Sequence, residues 1–294
     1  MSSGRTFINT IFKERELHMP GTKTRTLILV AIFLLFLPGW AGGTTGSSEA
    51  KDVKKAPAAP DPEKILRNMT NFMKSLQQFS FRADVTNDQV YTEGKKLQYS
   101  LDLEVAVRRP NKMRVNGQGD LENPEVFYDG LTLTLYNKDQ NLFAITPMPP
   151  TIDEALTKAY HDFGLQVALA DLVCTNAYEL MMRNVTHSLY VGLHRVRGVL
   201  CHHLAFDQED IQWQIWIEAG DKPLPRKLLI NQKKLLGEPQ WTAYLTDWNL
   251  SPQLPDNIFT FVPPTGAHQI DFLPSSKATA PNSVPRAKSK GGKP

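Results

Sequence analysis

Cysteine is nearly missing from this chain of 294 residues: two thiols, Cys174 and Cys201, are too few for a disulfide-dense scaffold or a four-cysteine zinc site. Catalytic signatures are missing as well. There is no Gly-x-Ser-x-Gly, no His-Glu-x-x-His, no phosphate loop and no dinucleotide fingerprint, and the acids are spread as solvated faces require. The sequence therefore reads as a non-enzyme without a cofactor. Long apolar runs are lacking too, since the run Leu27–Leu37 has eleven residues where a membrane-crossing helix needs ~20. Basic charge is scarce in the middle of the chain. The whole carries 33 Lys and Arg against 30 Asp and Glu, but residues 61–273 hold 20 bases and 26 acids, a net of −6. The basic excess belongs to the ends, so the middle has no phosphate-binding footprint and nucleic acid is excluded as a partner.

The amino end carries an export pattern. From Met19 a short basic region with Lys23 and Arg25 leads into the apolar run, and Ala41 follows with Gly39 two residues before it. Residues 1–41 are expected to be a signal peptide cleaved after Ala41, with Met19 as the start. The alternative is an uncleaved anchor from Thr26 to Ala41, which would hold the protein in a membrane by tilt or local thinning. Residues 42–60 (Gly, Ser, Thr, then Ala, Pro, Lys) and 274–294 (Ser, Pro, Ala, Lys, Gly) have nothing to bury. They read as a flexible linker and a disordered basic tail able to rest peripherally on anionic lipid. What remains, 61–273, is one folded unit, expected to be a monomer.

Asp61-Pro62-Glu63 is a helix start, and Ile65, Met69, Phe72, Leu76 and Phe79 follow at steps of four and three. The spacing predicts an amphipathic helix of about five turns. Leu97 to Val107 then alternates apolar and polar, a long half-buried strand. Asp129-Gly130 reads as a hairpin corner between Val126-Phe127 and Leu131 to Tyr136. Further strands are expected at 81–91, 112–116 and 142–146. Thr151-Ile152-Asp153-Glu154 is a capping box that opens a helical interlude over 152–163, stopped by Gly164 and followed by shorter pieces at 165–173 and 177–183. Strands return at 188–195, 199–206, 211–218, 226–233, 241–248 and 259–262. Such closely spaced strands pair antiparallel, so the expected architecture is α+β: a curled meander of about ten or eleven strands with helices on one face.

Three segments carry a resemblance. Val107-Arg108-Arg109-Pro110-Asn111-Lys112-Met113-Arg114-Val115, Tyr128 to Asn137, and Leu254 to Gly266 occur in the order found in the LolA/LolB superfamily of periplasmic lipoprotein carriers. More closely, the chain resembles the exported DUF2092 family of that fold, whose signature is similar to Trp213 to Lys227. The resemblance implies an incomplete antiparallel β-barrel covered by helices, in the periplasm, with acyl chains held in the apolar space between. It implies that Arg109, in the Arg-Pro motif, latches the helical lid to the barrel. The helical interlude and the Cys201-His202-His203 strand have no counterpart in carriers.

The candidate cleft residues are then Arg109 with Met69, Phe72 and Leu76 of the first helix, Leu101, Leu103 and Leu133 of the strands, Leu172 and Met181 of the interlude, and Trp213. They point to an acyl chain, lipid or lipoprotein as ligand. An envelope partner protein bound by a sensory module of the same fold is the other reading. Trp213 and Trp216 fall on opposite sheet faces, Trp213 toward the core. Cys201, His202, His203 and His194 suggest metal at first sight. Cys201 and His203 share one strand face while His202 takes the other, so no metal site is expected. Cys174 and Cys201 are a candidate disulfide in an oxidising compartment, and the bonded and free states both remain open.

Overall fold

The computed structural model describes residues 60–272, apart from 92, 93 and 168. The expected signal peptide of 1–41 with its start at Met19, the alternative anchor from Thr26 to Ala41, the expected linker of 42–60 except Pro60, and the expected tail of 274–294 lie outside the described residues. Among the described residues no helix is long and apolar enough to cross a membrane.

Helix α1 (Pro62–Ser75) begins where Asp61 accepts from the amides of Glu63 and Lys64, with proline at its first position. It is shorter than the apolar spacing predicts. Leu76 is its C-cap and Phe79 already belongs to the first strand. Its buried stripe is Leu66, Met69, Thr70 and Met73, while Ile65, Phe72 and Leu76 flank it half-buried. The buried stripe is therefore turned by about one residue from the predicted one, toward the later strands and helices that α1 packs against. Truncating Leu66 or Met69 to alanine would cost ~2–5 kcal/mol each.

Strands β1 (Gln78–Val90) and β2 (Lys96–Arg108) pair over thirteen residues each, and β3 (Lys112–Gly119), β4 (Pro124–Tyr128), β5 (Thr132–Asn137) and β6 (Leu142–Pro147) continue the meander. The alternation fixes which face is covered: Leu103, Val105 and Val107 are buried between exposed Asp102 and Glu104. After the interlude α2 (Ile152–Phe163), α3 (Ala170–Val173) and α4 (Ala177–Met182) come β7 (His187–Val196), β8 (Val199–Asp207), β9 (Ile211–Glu218), β10 (Pro225–Gln232) and β11 (Gln240–Asn249). β11 returns to pair with β1 at the middle of the sheet. With the two-residue β12 (His268–Gln269) the order is β12-β6-β5-β4-β3-β2-β1-β11-β10-β9-β8-β7, so β12 and β7 are free edges and the sheet is open.

Two expectations change. The described residues form twelve strands rather than ten or eleven. The segment 259–262 is not a strand. Asp256–Phe259 is a 3-10 turn, and the two-residue β12 (His268–Gln269) pairs parallel with β6 instead. Prolines 255, 263 and 264 deny this segment the donors that a ladder needs. It crosses the outer face of the sheet, where Phe261 packs against Phe127, Tyr136 and Phe143 at ring separations of 5.1–5.4 Å. Arg108 holds it there by donating to the Leu254 carbonyl at 2.7 Å and pairing with Asp256.

A single large apolar cluster lies on the inner face, between the sheet and the helices, and includes Leu66, Phe79, Val105, Leu133, Leu156, Leu172, Phe206 and Trp213. Exposed pairs such as Arg82–Glu104, with both side chains more than half exposed, contribute ~0–1 kcal/mol. The inner cluster therefore carries the stability.

The hairpin corner forms as the sequence predicts. Asp129 accepts from the amides of Leu131 and Thr132 at 2.9 and 2.8 Å, and Gly130 sits at φ +89° with Asn111 against it. A Cβ on Gly130 would lie 2.5 Å from the Asn111 amide nitrogen. Gly130→Ala is expected to lower stability by ~1–3 kcal/mol from backbone strain and displaced Asn111, measured as a shift in denaturant midpoint; an unchanged midpoint would contradict this account of the corner.

Candidate functional site

The inner face is assembled strand by strand, because antiparallel register puts every second residue on the same side. Phe79, Phe81, Ala83 and Val85 of β1 stand beside Val107, Val105, Leu103 and Leu101 of β2. At the other wing Phe206 stacks on Trp213 with ring centroids 4.1 Å apart. Asp247, at φ 52°, turns the end of β11 so that Trp248 joins Phe81 at 4.5 Å and Phe79 at 6.2 Å. Helix α1 lies over β7, β8 and β9, and α3 and α4 pack against α1. Arg67 of α1 lies over the Tyr178 ring of α4 at 3.6 Å, and Ser188 of β7 donates to Glu63 at 3.1 Å.

All nine apolar candidates meet in this one cluster. Met69, Leu103, Leu133, Leu172, Met181 and Trp213 are buried in it, and Phe72, Leu76 and Leu101 are half-buried against it. The reading missed Phe79, Phe81, Phe206 and Trp248. The alternation Phe79, Phe81, Ala83, Val85 was a signal for the first two, masked by the helical spacing that assigned Phe79 to α1.

The helices above the cluster are joined by few polar contacts. Thr151 caps α2 by accepting from the Glu154 amide at 3.3 Å, and Gly164 ends it at φ 65°. Asp153, in the first turn of α2, accepts from the Thr175 amide at 3.0 Å and from its hydroxyl, tying α2 to the α3–α4 turn. Arg109 reaches the same place from the β2–β3 corner. Its guanidinium is 5.8 Å from the Phe79 ring, and its interaction with Asp153 favours the charge that burial opposes. Burial prevails and lowers its pKa, and Nε and Nη2 are buried without a hydrogen-bond partner.

Asp171 of α3 is a buried carboxylic acid with one unpartnered oxygen. Burial pushes it up to about 7, against the pull of Arg183. Tyr128, whose hydroxyl donates to the Pro149 carbonyl, is pushed up to about 12, first by burial.

The two cysteines are separated by the sheet. Cys174 follows α3 in the inner cluster, whereas Cys201 belongs to an outer-face cluster with Val196 and Trp216. Both are free thiols, so the candidate disulfide is absent: residues on opposite faces of a sheet cannot bring their Cβ atoms together. Burial raises both thiol pKa values, that of Cys201 to about 11. On the outer face His203 stacks on Trp216 at 4.0 Å, shares a 3.0 Å bond with His194 and meets Gln214 at 2.9 Å. Trp216 thus faces away from Trp213, beneath Lys227. His202 points inward to Tyr190. Among the described residues no group of three or more His, Cys, Asp or Glu is placed to hold a metal ion.

The family described as "Predicted periplasmic protein (DUF2092)" matches residues 62–273. The chain belongs to that family. Its extent coincides with the sheet and helices described above. No curated protein matches the sequence. Among solved structures, this DUF2092 chain is similar to the lipoprotein LppX of Mycobacterium tuberculosis (13% identity, 66% of this chain and 97% of that one, TM-score 0.37). It is also similar to a LolA superfamily protein of Nitrosomonas europaea (14%, 69% and 99%, TM-score 0.31) and to the MucA/MucB complex of Pseudomonas aeruginosa (14%, 69% and 62%, TM-score 0.36).

Two predictions follow from the buried titratable groups. Below about pH 4 the Asp171 carboxyl is neutral in the folded and unfolded chains alike; between its ordinary 3.8 and about 7 only the unfolded chain ionises it. Stability contributed by the neutral acid is therefore lost as pH rises through that window. Asp171→Asn should flatten the dependence of Tm on pH and exceed the wild type at pH ~8 by several degrees; parallel profiles would refute it. Alkylation without reductant should modify neither thiol in the native protein and both after unfolding, read by mass, whereas a protected pair in denaturant would restore the disulfide.

Proposed function

We propose that this protein is a non-catalytic, exported lipid-binding protein that takes an acyl chain between the inner sheet face and the lid α1–α4. The observation that carries the reading is the convergence of six buried and three half-buried candidate side chains in one cluster beneath helices that are short. α3 has four residues and α4 six, far below the ~12–15 at which an isolated helix becomes marginal. They are therefore held mainly by packing, with the Asp153–Thr175 contact and Arg67 over Tyr178 as ties, and can yield to a ligand. Met69, Met73, Met148 and Met181 supply adaptable contacts around the same space. A chain of about fifteen carbons gains roughly 10 kcal/mol on burial, at ~0.8 kcal/mol per methylene, enough to compete with a bilayer. Export to the periplasm, in the sense of the family's description, would put the cleft beside two membranes.

Arg109 is, in this reading, the latch. It approaches Asp153 from the sheet side and Asp153 holds the α3–α4 turn, so displacement of one loosens the other. A second reading, a sensory module that binds a protein, draws on a separate observation: β7 is a free edge carrying exposed Leu189, Val191 and Leu193.

Native mass spectrometry of the exported protein is expected to report retained lipid, and fluorescent fatty acids are expected to bind at micromolar levels; an empty, non-binding protein that instead crosslinks to one partner would favour the second reading. Arg109→Gln is expected to speed amide exchange over 170–182 about tenfold, a loss of ~1.4 kcal/mol; exchange unchanged there would remove Arg109 from the lid.

A further inference from the structure

One end of the inner face is not apolar. Arg109 marks the end where β1 begins. At the opposite end, register aligns Tyr99, Asn87, Trp241, Ile230, Trp213 and Phe206 in a single row across β2, β1, β11, β10, β9 and β8. Two residues further along the same face stand Ile211 and Gln232, opposite each other. Gln208 lies in the β8–β9 turn beside them, where its backbone N–H donates to the Ile211 carbonyl at 2.9 Å.

Four side chains here are polar and poorly satisfied. Gln208 is 2% exposed and Gln232 6%. Both polar atoms of Gln208, Nε2 of Gln232, Nε1 of Trp213 and Oδ1 of Asn87 are buried without a hydrogen-bond partner. Native interiors pair nearly all such atoms, and one left over calls for an explanation. Half of the ten such atoms among the described residues lie at this one end of the inner face.

The chemistry of the group is narrow. It offers amide and indole donors together with amide acceptors, and no charge. Charged groups nearby are engaged: Lys233 donates to the Gln208 carbonyl, Asp88 is held by Lys96, Gln98 and the Gln240 amide, and Glu63 takes Ser188. A phosphate or carboxylate, which only accepts, would face the Asn87 and Gln208 oxygens without a counter-cation. A group that both donates and accepts, a hydroxyl beside an ester carbonyl, satisfies both sets.

We propose that the end of the inner face formed by Gln208, Gln232, Asn87 and Trp213 is the seat for an uncharged glycerol-ester headgroup of the lipid whose acyl chain occupies the cleft. The inference rests on the acyl-chain reading and deepens it. α1 runs from this end, where Glu63 meets Ser188, toward the corner that holds Arg109. Its fourteen residues span about 21 Å, comparable to an extended chain of about sixteen carbons. The headgroup would therefore lie at one end and the chain's tip near the Arg109 latch.

Equal-length probes of about sixteen carbons separate the claims when bound to the full chain and followed by calorimetry: a monoacylglycerol, the fatty acid methyl ester and a lysophosphatidate. The monoacylglycerol is expected to bind about tenfold more tightly than the methyl ester, the worth of one or two net hydrogen bonds, and more tightly than the lysophosphatidate. Gln208→Met with Gln232→Met should abolish that preference and leave methyl ester binding in place. Equal affinity for all three probes, or preference for the lysophosphatidate, overturns the headgroup seat while leaving the acyl-chain reading intact. Binding of none overturns both. The comparison on the wild-type chain decides the matter even if the double variant does not fold.

Discussion

An antiparallel sheet whose edges do not meet has an apolar face that it cannot bury against itself, and that constraint organises this protein. Twelve strands run from β12 to β7 without closing. Had they closed, inward side chains would fill the interior and the helices would be decoration. Because they do not, α1 to α4 cover Leu103, Val105, Trp213 and their neighbours, and the large apolar cluster of the described residues lies between sheet and helices.

The covering helices are unequal. α1 is a capped helix of fourteen residues with fully buried side chains, whereas α3 has four residues and α4 six. Their attachments are Thr175 on Asp153, Arg67 over Tyr178 and Arg109 below. Asp171 adds tension of its own, since its ionisation inside α3 is opposed by burial. α3 and α4 thus keep their place through these contacts and the cluster beneath them rather than through their own length. The outer face is managed differently: the proline-rich segment after Leu254 lies flat across it, held by Phe261 and Arg108.

Much of this was legible from local chemistry. The capping residues of α1 and α2, the corner at Asp129-Gly130, β9 to its last residue and the inward or outward direction of Trp213, Trp216, His202 and His203 all follow from turn chemistry and period two. What failed did so where a local pattern had two readings. Phe79 continues the helical spacing of Met69, Phe72 and Leu76, yet it also opens the alternation of β1, and pairing with Val107 decides for the strand. The segment 259–262 alternates like a strand but has prolines on its flanks and an aromatic groove to lie in.

By itself, the sequence determined that an amphipathic helix precedes an antiparallel meander and that the folded part is acidic. These follow from periodicity and composition, which act over a few residues. Tertiary structure alone decided that Cys174 and Cys201 lie on opposite sides of a sheet, that nine scattered apolar residues share one space, and that Asn87, Gln208, Trp213 and Gln232 gather at its far end. The reason is register: β11 returns to pair with β1 across some 150 residues of chain, and no local pattern specifies which rows that pairing aligns.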